Sequence, residues 1–407
     1  MSGDAMRDLE RWIARLLAVW RRHRRSGRGG GASCRAPQGR HGRGGGRPEP
    51  QLPETQLTHD ELREVGAGVR ALSHGLTRER ELAGARYMDD PKLLGAYLLF
   101  YWPVSYAQAR ATLSELPGRA KAALDLGAGP GPLAFASLDA GAAGVVAADR
   151  SKAALDLAKA LAMEAREPLG TREWSPERPL PDGSFDLITM GHVLNELYSG
   201  DIGKRAALVE KIAERLNKGG TLLILEPALR ETSRALLQVR DVLVSRGWTV
   251  RAPCLYRGAC PALVKPSDWC HAERTWRLPP MVDAISRAAG LHKESLKMSY
   301  LALAPRGEPW AEPPEGQVFR IVSEALEGKG RQRFMGCGPT GRVGLAMQDK
   351  HETERNRLFF KLRRGDVVRV SHTEERGDGL ALSDASTLEI LANAGRPVPP
   401  LTLQKSK

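Results

Sequence analysis

The sequence predicts an α/β fold, in which a Rossmann-like, doubly wound sheet follows a helical lead-in and precedes a small β-rich module. Three observations lead to this prediction. The apolar run Ala122–Leu126 runs into a glycine-rich turn and a helix-like segment. Strand-like and helix-like segments then alternate, as they do around a parallel sheet. Beyond residue 316, short β-branched or alternating stretches separated by glycine turns indicate a β module that an oligonucleotide-binding barrel would fit.

The chain is long enough for two or three domains. We expect a disordered basic arm with a short amphipathic helix (1–53), a helical lead-in (54–121), an α/β domain (122–315) containing a cysteine window (253–271), a small β module (316–390) and a tail (391–407).

Charge is concentrated at the amino terminus. The 407 residues carry a formal net charge of +13, and the first 50 hold twelve arginines against four acidic residues. A basic balance favours a polyanionic partner. No stretch has the apolar length that a bilayer span needs, so we expect no membrane partner. We also expect the protein to be a monomer when it is free.

The arm begins with a predicted amphipathic helix over residues 5–25. Its apolar residues at helical spacing are Leu9, Trp12, Ile13, Leu16, Leu17 and Trp20. The glycine- and arginine-rich sequence after it predicts disorder, and the arm would either contact RNA phosphates or be a solvated tail. Such a start resembles a mitochondrial transit peptide, but it contains acids that these peptides avoid. We therefore expect a bacterial cytoplasmic protein, with the mitochondrial matrix as the alternative.

The lead-in is predicted to be helical, with Thr58 as the N-cap of its first helix. An aromatic cluster follows between residues 97 and 106. We interpret it as core packed against the next domain rather than as a platform for base stacking.

The glycine-rich turn after Leu126 is the first motif that carries chemistry. Its glycines allow a backbone to approach a ligand closely, and an acid at the end of the next strand suits ribose hydroxyls. The dinucleotide fingerprint needs a different glycine spacing. The turn is closer to the first motif of S-adenosylmethionine-dependent methyltransferases, although a Rossmann-like domain without a ligand stays open. The candidate cofactor-binding residues are Asp125, Gly127, Gly129, Gly131 and Asp149.

Methyl transfer from a sulfonium mainly requires positioning of a nucleophile. The candidate catalytic or substrate-facing residues follow the fourth and fifth predicted strands: His192, Asn195, Glu196 and Glu226. His192 would be a base, a substrate contact or a polar residue on the pocket rim. The segments that amino-methylating enzymes use to grip a base amine do not occur there.

Four of the five cysteines lie in sequence expected to fold: Cys254, Cys260, Cys270 and Cys337. Disulfides are disfavoured in an intracellular protein. A zinc site usually has ligands in closer pairs than the C-x5-C-x9-C spacing provides. An iron–sulfur cluster suits irregular spacing better, and unrelated buried cysteines stay open.

The methyltransferase-like motifs and the cysteine window together resemble a known family, the methyltransferase-like assembly factor of the mitochondrial small ribosomal subunit and its bacterial relatives. The segments that carry the resemblance are LDLGAGPG (124–131), GHVLNEL (191–197), LLILEP (222–227), PCLYRGACP (253–261), DWCH (268–271) and the lead-in YMDDPKLLGAYLLFYWPVSYA (87–107).

The resemblance implies a 4Fe–4S cluster on Cys254, Cys260, Cys270 and Cys337, association with small-subunit ribosomal RNA, and a fold that holds S-adenosylmethionine. The protein would be an rRNA methyltransferase in ribosome biogenesis and translation, or a non-catalytic assembly factor. A small-molecule methyltransferase with structural zinc is the third hypothesis. Residues 357–370, where Phe359 and Phe360 lie among basic residues, would bind RNA or only cap the β module.

Overall fold

An eight-stranded sheet organises the centre of the chain. The computed structural model describes residues 3–28, 55–82 and 84–398. The strands of the sheet are β1 (Ala122–Leu126), β2 (Gly144–Asp149), β3 (Leu169–Glu173), β4 (Phe185–Gly191), β5 (Leu216–Pro227), β6 (Thr249–Ala252), β7 (Ala272–Thr275) and β8 (Ser295–Ala304). Five run parallel in the order β3-β2-β1-β4-β5. Strand β8 is antiparallel to β5, and β6 and β7 both pair with β8.

Helices cover both faces of this sheet. They are α1 (Gly3–Arg28), α2 (His59–Ser73), α3 (Pro91–Ala96), α4 (Trp102–Leu113), α5 (Pro132–Asp139), α6 (Lys152–Ala165), α7 (Ile202–Ala213), α8 (Arg230–Ser245) and α9 (Pro280–Ala288). Helices α7 and α8 pack on one face, and α1, α2, α4, α5, α6 and α9 contribute to the core on the other. The predicted doubly wound α/β fold is confirmed.

Among the described helices, none combines the length and apolarity that crossing a bilayer takes.

The lead-in forms as predicted. Thr58 caps α2: its side-chain oxygen accepts a hydrogen bond from the Glu61 backbone N–H at 3.2 Å, and Glu61 accepts one from the Thr58 backbone at 2.9 Å. The aromatic cluster is core, because Tyr97, Phe100, Trp102 and Tyr106 are buried. Trp102 and Tyr106 stack at a ring distance of 5.2 Å.

Helix α1 differs from the expected arm. Residues 3–28 form one helix whose apolar face belongs to the main core. The Trp12 ring lies 5.7 Å from Trp102 and 4.5 Å from Phe135, and its indole N–H donates to Asp139 at 2.7 Å. The amphipathic helix predicted over residues 5–25 therefore forms, but it is not part of a solvated arm, because its apolar face packs against α4, α5 and α6. The predicted disorder after the helix lies outside the described residues.

The carboxyl-terminal module is a closed barrel. Its strands are β9 (Gln317–Ile321), β10 (Leu326–Gly328), β11 (Arg331–Gly338), β12 (Gly341–Gln348), β13 (Val367–Arg376) and β14 (Gly379–Ala392). Strand β9 pairs with both β11 and β13, so five strands close in the order β9-β11-β12-β14-β13. Strands β12 and β14 are parallel and the other pairs antiparallel. This five-stranded closure has the strand count and shape of an oligonucleotide-binding barrel.

The aromatic residues of segment 357–370 do not form the base-stacking surface that we considered. Phe359 is fully buried in the barrel core, where its ring lies edge-on to Phe334 at 5.3 Å. Phe360 is half-buried against the same core. Both rings therefore contribute to the hydrophobic core of the barrel.

A buried carboxylate joins the lead-in, the sheet and the barrel. Glu115, just after α4, accepts hydrogen bonds from Arg274 of β7, from Arg320 of β9 at 3.0 Å and from the Tyr300 hydroxyl of β8 at 2.7 Å. Burial alone would raise the pKa of the Glu115 carboxyl, but Arg320 and Arg274 outweigh it and hold this pKa below its ordinary value.

We predict that Trp12→Ala lowers the free energy of unfolding by about 3–5 kcal/mol, because it removes a large buried ring. Arg25→Ala, on the exposed side of the same helix, should change it by less than about 0.5 kcal/mol. Denaturant unfolding of the full chain measures both. Equal stability of W12A and the wild type would contradict a core role for α1.

We predict that Glu115→Gln destabilises the protein by about 3–5 kcal/mol, because two buried arginines lose their counter-charge. The matched control is Glu312→Gln, since Glu312 forms an exposed ion pair with Arg257 and should contribute at most about 1 kcal/mol. If the two variants unfold at the same denaturant concentration, the buried cluster does not hold the three parts together.

Candidate ligand pocket and metal centre

A cavity of about 410 Å3 opens at the edge of the sheet where the parallel strands end. Ligands of open α/β sheets bind at this edge, in the crevice outside the carboxyl ends of the strands. Five of the predicted site residues line it: Gly127, Asp149, His192, Asn195 and Glu196. We call it the strand-end pocket.

The glycine turn is compatible only with residues that lack a side chain. Gly127, Gly129 and Gly131 all have positive φ, at +69°, +53° and +84°. A Cβ at Gly127 would lie 2.2 Å from Cγ2 of Val193, which is too close for any side chain. Gly131 is the residue before α5. The turn therefore brings bare backbone to the pocket, as the sequence predicted.

The two aspartates of this region have different roles. Asp149, at the end of β2, lines the pocket and accepts hydrogen bonds from the backbone N–H groups of Gly129 and Ser151, both at 2.8 Å. Asp125 lies beneath the turn, outside the pocket lining, and accepts from the Ala134 N–H at 3.0 Å and the Thr189 hydroxyl at 2.7 Å. Burial raises the pKa of Asp125 to about 7 and also raises the pKa of Asp149. Asp125 therefore joins the first turn of α5 to β4, whereas Asp149 holds the glycine turn and lines the pocket.

Asn195 and Glu226 bind each other. The Asn195 side-chain and backbone N–H groups donate to the two oxygens of Glu226 at 2.5 and 3.1 Å. Arg80 donates to the Asn195 side-chain oxygen at 2.7 Å. Glu226 is buried outside the strand-end pocket, and burial raises its pKa to about 8. The geometry fits Glu226 as a residue that holds the loop after β4 rather than one that touches a substrate.

Glu196 faces the pocket from the same loop. It accepts a hydrogen bond from the Gly84 backbone N–H at 3.1 Å, and burial raises its pKa to about 7.

The lead-in supplies a wall of the pocket that we did not predict. Segment 84–90 lies across the glycine turn: the Met88 side chain comes within 3.0 Å of the place of a Gly129 Cβ. Arg150 donates to the Gly84 carbonyl at 2.9 Å, and Ser151 donates to Asp89 at 2.8 Å. Residues 87–90 of this segment belong to the stretch that carries the family resemblance. No local pattern in the sequence predicts that the segment lies beside a turn about 40 residues later.

Trp174 is a second residue that we missed. It follows β3 directly, lines the pocket and is buried, and its indole N–H has no partner among the described residues. A signal existed, because a residue just after a parallel strand lies at the ligand-binding edge. Gln108, Lys293 and Lys297 also line the pocket without such a signal. Gln108 comes from a helix before the sheet, Lys293 from the loop before β8 and Lys297 from β8 itself.

The four predicted cysteines line one cavity of about 80 Å3 between α8, the cysteine window, β8 and β11. All four are free thiols. Cys254 follows β6, Cys270 precedes β7 and Cys337 lies on β11, so the site joins the sheet to the barrel. The structure therefore brings together residues up to 83 positions apart in the sequence.

Side chains of α8 hold the cysteine window in place. Arg240 donates to the carbonyls of Gly258 at 2.7 Å and Tyr256 at 2.5 Å, and Asp241 accepts from the Cys260 N–H at 2.9 Å. Arg234 donates to three further carbonyls of the window, at Ala262, Lys265 and Asp268. Charged side chains of α8, both donors and an acceptor, thus position the loop.

No three of the four sulfur atoms lie as close together as the ligands of a zinc ion would. A tetrahedral zinc site with bonds of about 2.3 Å places its sulfurs about 3.8 Å apart. No three of these cysteines have sulfurs within 4.8 Å of one another; the close group that the described residues do contain is His74, Glu79 and Glu81, all exposed. Burial, followed by repulsion from Cys254, raises the pKa of Cys260 to about 12 and that of Cys270 to about 11. Metal binding as thiolates would therefore release protons.

Several solved structures are similar to part of the chain. Ribosomal protein L11 methylase from Lactobacillus delbrueckii subsp. bulgaricus is 16% identical over 50% of this chain and 79% of its own, with a TM-score of 0.31. Precorrin-6y C5,15-methyltransferase from Geobacter metallireducens is 16% identical over 49% and 89%, with a TM-score of 0.32. N-methyltransferase NodS from Bradyrhizobium japonicum, in complex with S-adenosyl-L-homocysteine, is 12% identical over 58% and 97%, with a TM-score of 0.33.

No curated protein sequence matches the chain at a significant level. Residues 93–381 match the family model described as mitochondrial small ribosomal subunit Rsm22. This range covers the aromatic part of the lead-in, the strand-end pocket, all four cysteines and most of the barrel. The resemblance inferred from the motifs is confirmed at the level of the family: the chain belongs to the Rsm22 family of the mitochondrial small ribosomal subunit.

Proposed function

We propose that the protein is an S-adenosylmethionine-dependent methyltransferase that acts on small-subunit ribosomal RNA during ribosome biogenesis. The observation that carries this proposal is the strand-end pocket, in which a bare glycine turn faces Asp149 across the end of β1 and β2. S-adenosylmethionine would supply an electrophilic methyl group. Gly127 and its neighbours would lie against it, and Asp149 would accept hydrogen bonds from its ribose hydroxyls. The free indole N–H of Trp174 is a further donor at this end.

Association with the small subunit is supported by the family and by the barrel. The family description names the mitochondrial small ribosomal subunit. Five-stranded barrels of this shape bind oligonucleotides in other proteins. Of the two locations predicted from the sequence, the family description supports the mitochondrial matrix.

The cysteine site would hold a 4Fe–4S cluster, with zinc as the alternative. Four thiols line one cavity, and no three of their sulfurs lie as close together as those of a tetrahedral zinc site would. Three ligands come from the sheet domain and one, Cys337, from the barrel. Metal binding would therefore add folding free energy at the junction of the two parts.

A non-catalytic assembly factor is the second candidate function, and one observation favours it. Asn195 and Glu226, two of the four polar residues predicted to face a substrate, are hydrogen-bonded to each other, and Asn195 also accepts from Arg80. The pocket would then bind its ligand without transferring a methyl group.

We predict that Gly127→Ala weakens binding of S-adenosylhomocysteine by about tenfold or more, since the new Cβ collides with Val193 at the pocket floor. The matched control is Gly118→Ala, whose φ of +81° imposes similar backbone strain but whose Cβ would meet nothing within 4 Å. Isothermal titration calorimetry measures the binding.

The enzyme hypothesis is tested with the same two variants. Small-subunit rRNA from cells that carry G127A should lack a methyl group that G118A cells retain. If cells without the protein show unchanged rRNA methylation while G118A protein still binds S-adenosylhomocysteine, the catalytic hypothesis is wrong and the assembly-factor hypothesis is favoured.

We predict that anaerobically purified protein contains about four irons and matching sulfide per chain, with broad absorption in the near-ultraviolet and visible range. Cys260→Ser and Cys337→Ser should each lower the iron content and the thermal stability, because each removes a ligand. Cys34→Ser, which lies outside the described residues, is the control and should change neither. One zinc per chain with no iron would contradict the cluster.

A further inference from the structure

The wall of the strand-end pocket nearest β8 has its own set of side chains. We call it the β8 corner: Gln108, His192, Lys293 and Lys297. Because β8 is antiparallel to β5, its first residues lie at the same edge as the ends of the parallel strands. Strand β8 lies four strand spacings from β2, or about 19 Å. The start of β8 is therefore well separated from Asp149, whereas His192, just after β4, lies closer to the glycine turn.

A chain of hydrogen bonds defines the protonation of His192 in this corner. The Lys297 carbonyl can only accept, so the Gln108 amide nitrogen, 2.9 Å away, is the donor. The Gln108 oxygen then faces Nε2 of His192 at 3.2 Å and requires a proton on that nitrogen. Burial, together with Lys293, lowers the pKa of His192 to about 4. The imidazole is neutral at pH 7, and Nδ1 is its unprotonated nitrogen, which accepts a hydrogen bond.

Lys293 is a cation that lacks a counter-charge in the part of the chain that the structure describes. No hydrogen bond or ion pair joins it to a carboxylate among the described residues, whereas Lys297 has Glu273 at 3.7 Å. Lys293 is half-buried on the pocket wall, and burial lowers its pKa. An ammonium group removed from water without a partner is costly, and an anionic ligand offsets that cost.

We propose that the β8 corner is a subsite for one nucleotide of the RNA acceptor, with its phosphate at Lys293 and an N–H or O–H donor of its base or ribose at Nδ1 of His192. This inference rests on the proposed function and names the substrate class of the same pocket. The distribution of charge in the pocket supports this inference, because the carboxylates Asp149 and Glu196 lie toward the glycine turn. The β8 corner instead combines the ammonium group of Lys293 with the neutral acceptor Nδ1 of His192. A nucleotide offers a partner to each, because its phosphate is an anion and its base or ribose carries a hydrogen-bond donor.

The amino-acid carboxylate of the methyl donor is the competing occupant for Lys293. It carries the same charge as a phosphate, so the test must separate the two anions. Loss of Lys293 should weaken nucleotide binding and leave donor binding unchanged if the inference is correct.

The experiment measures binding of each of the four ribonucleoside 5′-monophosphates, of its nucleoside and of inorganic phosphate to the full chain saturated with S-adenosylhomocysteine. We expect at least one monophosphate to bind the wild type about tenfold tighter than its nucleoside. Lys293→Met should abolish this preference and Lys293→Arg should keep it. Lys159→Met, which removes an exposed lysine of α6, should behave as the wild type. His192→Ala should weaken the nucleoside and the monophosphate by the same factor.

Several results would overturn the inference. They are a phosphate preference that survives in K293M, equal binding of every nucleoside and its monophosphate by the wild type, and inorganic phosphate that binds as tightly as the monophosphates. A loss of S-adenosylhomocysteine affinity in K293M would assign the lysine to the donor carboxylate and overturn it as well. Wild-type protein that binds no S-adenosylhomocysteine would overturn the proposed function along with it, so the two failures are distinguishable.

Discussion

The buried carboxylate of Glu115 is the contact on which the arrangement of this protein depends. Its partner Arg320 lies opposite Cys337 where β9 and β11 close the barrel. Its partner Arg274 follows Cys270 by four residues, on β7. One carboxylate therefore holds both halves of the cysteine site in register. A buried charge of this kind is costly alone, so the lead-in, the sheet and the barrel must dock together to satisfy it.

Strand β8 connects the two candidate sites. Near its start, the Lys297 carbonyl positions Gln108 and, through it, His192 in the strand-end pocket. Two residues later, the Ser299 hydroxyl approaches the Cys270 carbonyl at 3.4 Å, and Tyr300 binds Glu115. A structural centre at the cysteines would thus stabilise the strand that also forms the far wall of the pocket. The strand-end pocket and the cysteine site therefore share β8 as a common wall.

Part of each site could be predicted from local pattern. The glycine turn, Asp149 and the residues after β4 all follow apolar strands, and strand ends gather at one edge of a parallel sheet. The four cysteines stood out because so few occur in the chain. Trp174, Lys293 and the lead-in wall were missed, since their positions depend on how β3, β8 and segment 84–90 pack. Glu226 was predicted to face the pocket, but the loop after β4 folds over it and its oxygens bind Asn195.

The sequence by itself determined the α/β class, the glycine turn, the N-cap at Thr58, the buried aromatic cluster and the family. These follow from local periodicity, backbone preference and rare residues at fixed spacing. Only the tertiary structure decided that α1 belongs to the core, that Phe359 is buried inside the barrel, and that Cys337 meets the cysteine window. Each depends on which apolar or charged surfaces meet, and residues far apart in the chain decide that together.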